Sequence, residues 1–299
     1  MALTKKSLYY QYYKDKLLSL VTNPQLIPFY FGRLRQYSAA DSFDVILVSY
    51  PKSGRTWLQN ILAELGKISF DPQNEINEKT SISDALVKLG ESDNGFPSIL
   101  ATHAKSSWEA VEPIHDEHQI QKDDFSDFAT QKIVYLHRDP RDVLVSQFYH
   151  IKLRNNVKSI DKEDLISNKI VGIKKIIFFM NKWLEYAEAH PEQIFRMSYE
   201  EMKKAPLETL KNVCKFMGME VSEDAISEAI RASDIKKMQK KQASNTNSDP
   251  WTMTKNPQNV NSFQSRKGKI GEHKEFFSPE QLQKIDNAID EFLDKKYAY

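Results

Sequence analysis

The chain has 299 residues, enough to bury a sizeable core as one large α/β domain or two small ones. Its formal net charge of +1 creates no global field for nucleic acid or an anionic membrane, so any basic site must be local. A single cysteine, Cys214, rules out an internal disulfide framework and fits a reducing cytosol.

Along the chain, the N-terminal Met1-Ala-Leu-Thr-Lys-Lys-Ser-Leu-Tyr-Tyr lacks the apolar core of a signal peptide. The cluster Tyr9, Tyr10, Tyr12 and Tyr13 has no basic stripe beside it and reads as packing. The apolar run Val45-Ile46-Leu47-Val48 predicts a strand, and Trp57, Leu58, Ile61, Leu62 and Leu65 predict a helix soon after. Between them lies Tyr50-Pro51-Lys52-Ser53-Gly54-Arg55-Thr56. Strand, short Gly-containing loop and helix form a cradle for phosphate: backbone N–H groups converge at the helix start and Lys52 adds a point charge. The lysine precedes the glycine and the loop is short, unlike the ATP-magnesium loop G-x-x-x-x-G-K-[ST].

A second short run, Ile99-Leu100-Ala101, ends in Thr102-His103. An imidazole at that sheet edge can accept a proton from a hydroxyl or amine. His115-Asp116-Glu117-His118 offers no third ligand and reads as a polar stretch, so no metal site is expected. The third run, Ile133-Val134-Tyr135-Leu136, leads into His137-Arg138-Asp139-Pro140-Arg141. Asp139 is a good N-cap and Pro140 suits the first helical position, which places Arg138 at a helix mouth where anions are favoured; Ser146 follows two turns on.

Helical periodicity also covers 142–152, 172–189 and 207–217, the last placing Cys214 on an apolar face with Leu207, Leu210 and Met217. Ile176-Ile177-Phe178-Phe179-Met180 is too short to span a bilayer, and a cytoplasmic protein without membrane attachment is expected. Ile194-Phe195-Arg196-Met197 predicts a fourth strand. Residues 236–262 are Lys-rich and then rich in Asn, Ser, Gln and Thr, which predicts a long mobile loop of the lid type holding Trp251. Ser265-Arg266-Lys267-Gly268-Lys269 follows as a third basic element, and an amphipathic helix begins at Pro279. No repeat or linker divides 1–299. Strands alternating with helices predict an α/β fold with a mainly parallel sheet covered on both faces and ligands beyond the carboxyl strand ends.

Taken together, Tyr-Pro-Lys-Ser-Gly-x-Thr-Trp-Leu at 50–58, Arg-Asp-Pro-Arg-Asp-Val-x-Val-Ser at 138–146 and Arg-Lys-Gly at 266–268 resemble the cytosolic-type sulfotransferases, over about residues 25 to 295. The resemblance implies the three-layer, P-loop-kinase-like fold of that family and the donor 3′-phosphoadenosine-5′-phosphosulfate (PAPS), without metal. It assigns Lys52, Ser53, Gly54, Thr56 and Trp57 to the phosphosulfate and adenine, with Trp57 on the base. Arg138, Ser146, Arg266, Lys267 and Gly268 take the 3′-phosphate, and Tyr199, Ser233, Ile235 and Met238 contact the adenine. His103 matches the general base, and Ser146 is assigned a restraining role on Lys52.

Three positions depart from the family pattern. Arg55 brings an extra charge beside the sulfonate and is counted with the donor site. Lys-Thr-His-Leu-Pro becomes Ala101-Thr102-His103-Ala104-Lys105, which points to a polar acceptor such as an alkaloid. The dimer motif is reduced to Lys274…Ser278-Pro279…Gln283, which implies a monomer or weak dimer; the overall pattern is similar to bacterial members. The expected function is sulfuryl transfer to a hydroxyl or amine of a small molecule. A nucleotide-dependent kinase and a non-catalytic nucleotide-binding protein are the alternatives.

Overall fold

The computed structural model describes residues 43–73, 75–77, 80–92, 94–103, 130–169, 171–244, 254 and 256–299. The tyrosine cluster at 9–13, the 115–118 stretch and Trp251 lie outside them. Four strands, β1 (Val45–Ser49), β2 (Ile99–Thr102), β3 (Lys132–His137) and β4 (Ile194–Ser198), pair in the order β2-β1-β3-β4, and every pairing is parallel. Each apolar run expected as a strand is one.

Helices fill the crossovers: α1 (Arg55–Phe70), α2 (Ile82–Glu91), α3 (Pro140–Tyr149), α4 (Lys162–Ser167) and α5 (Ile173–Ala189). After β4 come α6 (Tyr199–Lys204), α7 (Pro206–Met217), α8 (Glu223–Ala232), α9 (Ile235–Ala243), α10 (His273–Phe276) and α11 (Pro279–Phe292). Successive strand residues point to opposite faces, so the sheet builds two cores. Ile46, Val48, Ile133 and Tyr135 pack with α3, α4, α5 and α11 around Trp183. Val45, Leu47, Val134 and Leu136 pack with α1, α2, α7 and α8. Burial on both faces explains why the strands read as unbroken apolar runs rather than as alternation. Cys214 is buried in the second core, and burial pushes its thiol up to about 12, consistent with a core role.

Two expectations are corrected. The helix predicted over 142–152 ends at Tyr149 and continues as a single π-turn, His150–Arg154, which widens the last turn and leaves His150 Nδ1 3.5 Å from the Lys52 ammonium. Residues 236–262 do not begin as a loop. Asp234 caps α9 by accepting from the Lys236 N–H at 2.8 Å, and Met238 and Gln242 are its buried face. The lysines that gave this stretch its loop-like composition lie on the exposed side of that helix. Among the described residues, no helix is long and apolar enough to cross a membrane.

Candidate active site

Two polar segments at the carboxyl ends of β1 and β3, and a third from the loop before α10, meet at one edge of the sheet. The first is the loop 50–54. Gly54 is the N-cap of α1 at φ +99°, and a Cβ there would lie 2.4 Å from the Tyr199 ring. Only glycine fits, and its absence of a side chain brings Tyr199 against the helix start. Lys52 is also left-handed, at φ +77°, a conformation costly for a residue with a Cβ. Its carbonyl accepts from Arg138 Nη1 at 3.5 Å, which helps hold the loop in that shape.

The second segment follows β3. Asp139 caps α3 by accepting from the Arg141 N–H at 2.9 Å, with Pro140 in the first turn, as the sequence predicts. Arg138 is buried and oriented on both Nη atoms: Nη2 donates to the Lys269 carbonyl at 2.8 Å and pairs with Asp142 at 3.5 Å. Its guanidinium stacks 4.6 Å from the Tyr199 ring centroid.

The third segment is the 263–273 loop. Buried Arg266 makes a two-pronged ion pair with Glu272, with Nη1 donating at 2.7 Å, and lies 4.5 Å from the Tyr149 ring centroid. Lys267 shares Glu272 at 3.3 Å and is otherwise exposed. Gly268 is left-handed at φ +60°, and a Cβ there would sit 3.1 Å from both the Ile235 Cδ1 and the Tyr199 hydroxyl. Helix α9 braces this loop, with Gln239 Nε2 donating to the Ser265 carbonyl at 3.0 Å and also to that of Arg266.

Asp142 ties the second segment to the third and was not singled out from the sequence. Its carboxylate is fully enclosed and accepts from the Gly271 N–H at 2.7 Å, the His273 N–H at 3.1 Å and His273 Nδ1 at 2.8 Å. Burial alone would raise its pKa; the His273 bond, Arg138 and the two backbone donors outweigh that and hold it down to about 2. The available signal was the buried helical position one turn after Arg138, four residues on.

The predicted adenine contacts also converge. Trp57 and Tyr199 meet edge to face at 5.8 Å, Ile235 touches the Gly268 position, and Met238 and Ser233 are buried on the same α8–α9 corner. Ser53 is buried in the first loop, Arg55 and Thr56 open α1, and Ser146 is half-buried on α3.

His103 stands just beyond the end of β2. The register pairs Val48 with Thr102, so His103 falls beside Ser49, and its Nδ1 donates to the Ser49 carbonyl at 2.8 Å. A carbonyl can only accept, so the proton of the neutral ring is on Nδ1 and the lone pair on Nε2. The Lys52 ammonium sits 3.2 Å from Gln264 Oε1 and 3.5 Å from His150 Nδ1. Burial pushes its pKa down to about 7, helped by the nearby charges of Arg154, Arg266 and Arg138.

An anionic donor fits this arrangement. Buried Arg138 Nε, Arg266 Nε and Ser233 Oγ have no hydrogen-bond partner, and the crevices at Gly54 and Gly268 close if a Cβ is added. Fixed cations at a helix mouth, buried N–H and O–H groups without acceptors and an aromatic corner suit a phosphorylated ligand.

Residues 42–297 match the sulfotransferase domain model, and the chain belongs to that family. Mouse sulfotransferase 2A6 is 28% identical over 264 residues, covering 86% of this chain and 85% of the relative. Flavonol 3-sulfotransferase of Flaveria bidentis is 26% identical over 260 residues, covering 84% and 81%. Among solved structures, mouse sulfotransferase SULT7A1 complexed with PAP has a TM-score of 0.55 at 24% identity, covering 86% of this chain and 89% of the other, which shows the shared fold.

Proposed function

We propose that the chain transfers a sulfuryl group from PAPS to a hydroxyl or amine of a small-molecule acceptor, with His103 as general base. The observation that carries this reading is the convergence of Gly54, Arg138 and Gly268 on the Tyr199 ring, with buried Arg138 and Arg266 Nε atoms that lack a hydrogen-bond partner. The complex of mouse SULT7A1 with PAP supports the donor assignment.

PAPS, when bound, supplies an activated sulfuryl group whose departure leaves PAP. Sulfuryl transfer resembles phosphoryl transfer, so the protein's work is positioning and charge stabilisation. Trp57, Tyr199, Ser233, Ile235 and Met238 hold the adenine, and Arg138, Ser146, Arg266, Lys267 and Gly268 hold the 3′-phosphate. Ser53, Gly54, Arg55 and Thr56 present the helix N-terminus to the 5′ side. His103 Nε2 takes the acceptor proton, and the Nδ1–H bond to Ser49 stabilises the imidazolium as it forms. Lys52, once charged, neutralises the oxygen that becomes part of PAP. In the free protein the Lys52 ammonium contacts Gln264 and His150, so the restraining role of Ser146 on Lys52 belongs to the donor-bound state.

Calorimetry tests the donor: PAP binds tightly without metal, while ATP and adenosine 5′-phosphosulfate bind poorly, and equal affinity for the nucleotide lacking the 3′-phosphate overturns the reading. His103→Ala loses ~10²-fold or more in turnover while keeping PAP affinity, the scale of general-base catalysis. Retention of half the activity assigns the base elsewhere. An acceptor screen with labelled PAPS, read by mass spectrometry, identifies the substrate class.

A further inference from the structure

Lys52 lies three residues before α1, yet its ammonium bonds to neither that helix nor its own loop. Its partners are Gln264, on the loop that carries Arg266 and Lys267, and His150, on the π-turn after α3. Gln264 belongs to a braced segment. Neighbouring Ser265 donates from its N–H to Gln242 Oε1 at 3.3 Å and its hydroxyl accepts from Gln242 Nε2 at 3.0 Å, while Arg154 Nη1 donates to the Ser262 carbonyl at 3.1 Å. The amide acceptor offered to Lys52 is therefore fixed to α9 and to the π-turn.

We propose that Gln264 is a positioning residue that holds the Lys52 side-chain nitrogen in the donor-free protein, and that donor binding replaces this hold with an anion. The inference rests on the PAPS reading for its second half, whereas the hold itself is a property of the free protein.

The charges around Lys52 explain the direction. Arg154 from the π-turn, Arg266 from the 263–273 loop and Arg138 from the β3–α3 junction all disfavour a further positive charge. His150, kept neutral by burial and by Lys52 and Arg154, adds only a lone pair. No carboxylate is among the causes that shift Lys52, so a neutral amide is a weak counterpart for an ammonium. With a pKa of about 7, Lys52 is roughly 90% uncharged at pH 8 in the free protein. An arriving anion raises that pKa, and the balance is Lys52–NH2 plus a solvent proton giving Lys52–NH3⁺. Phosphate monoesters have completed their second ionisation by pH 8, so the ligand neither supplies nor takes that proton. The direct Lys52–Gln264 link between the two loops is then broken as the donor seats, while Arg138 still joins them through the Lys52 and Lys269 carbonyls.

Lysine 13Cε NMR of the free protein tests the hold, with the Lys52 signal assigned by its loss in Lys52→Met. Wild type titrates near 7, and Gln264→Glu, which supplies a carboxylate in place of the amide, titrates about 1–3 units higher. An unchanged midpoint in a folded Gln264→Glu overturns the hold. PAP calorimetry at pH 8, in buffers of differing ionisation enthalpy, tests the second half. Wild type takes up about 0.9 proton, Lys52→Met takes up none, and Gln264→Glu takes up much less. Uptake that survives Lys52→Met, or equal uptake in Gln264→Glu, overturns the coupling. Absence of PAP binding by wild type overturns the donor reading and the coupling together, while the free-protein titration still decides the hold.

Discussion

Asp142→Asn isolates the tie between the Arg138 helix and the Arg266 loop. The substitution keeps the volume but replaces one acceptor oxygen by an NH2 group. In wild type both oxygens accept: Oδ1 from the His273 N–H and Nδ1, Oδ2 from the Gly271 N–H at 2.7 Å. Either amide orientation aims a donor at a donor inside a site with no access to water. One unsatisfied buried donor costs about 1–3 kcal/mol, and loss of the charge opposite buried Arg138 adds to it. The titration of Asp142 gives an independent scale, since a fall from 3.8 to about 2 corresponds to roughly 2.5 kcal/mol of native-state stabilisation of the carboxylate. We expect a loss of about 3 kcal/mol at pH 7 and, for a domain of this length, a Tm lower by roughly 5 °C.

The pH dependence has a definite sign. The folded pKa of Asp142 is depressed, so its contribution is complete above the unfolded value of 3.8 and is lost as pH falls toward 2. Asn does not titrate, so the gap between wild type and variant narrows by about 1 kcal/mol between pH 5 and pH 3. Urea unfolding followed by tryptophan fluorescence measures both quantities, with equal m-values as the check on two-state comparison. The variant also binds PAP at least ~10-fold more weakly, because Arg138 and the 266–271 loop lose their common anchor. A loss below 1 kcal/mol at pH 7, or a gap that does not change with pH, refutes the reasoning.

Two further substitutions probe the cradle. Gly54→Ala forces a Cβ to 2.4 Å from the Tyr199 ring at φ +99°, and should cost about 2–4 kcal/mol in urea unfolding while moving Tyr199 off the adenine corner, seen as weaker PAP binding in calorimetry. Arg138→Ala and Arg266→Ala should each weaken PAP binding by about 1.5–3 kcal/mol, the range for bonds to charged groups, whereas affinity for a nucleotide lacking the 3′-phosphate should barely change.

Local sequence was enough for the strands and for several helix starts. Two-face burial writes a parallel strand as a short apolar run, and a helix mouth after such a run announces itself through Gly54 or Asp139-Pro140, because these features are set by residues within one turn of each other. Position after a strand end likewise selected His103 and Arg138, whereas Tyr199 came only from the family resemblance; the β2-β1-β3-β4 order puts the strand ends that carry them side by side. Composition misled at 235–243, where a lysine-rich stretch is a helix whose few apolar residues suffice because Gln239 and Gln242 bond the neighbouring loop.

What only the tertiary structure decided are the contacts between residues far apart in sequence. Asp142 meets His273 across 131 positions and Lys52 meets Gln264 across 212, and neither partner carries a local signal of the other. Asp142 alone reads as one more acidic residue near a helix start, and Gln264 as one polar loop residue. Their roles arise from those contacts: the donors of His273, Gly271 and Arg138 outweigh burial and hold the Asp142 carboxyl at about 2, whereas burial and the neighbouring arginines bring Lys52 down to about 7.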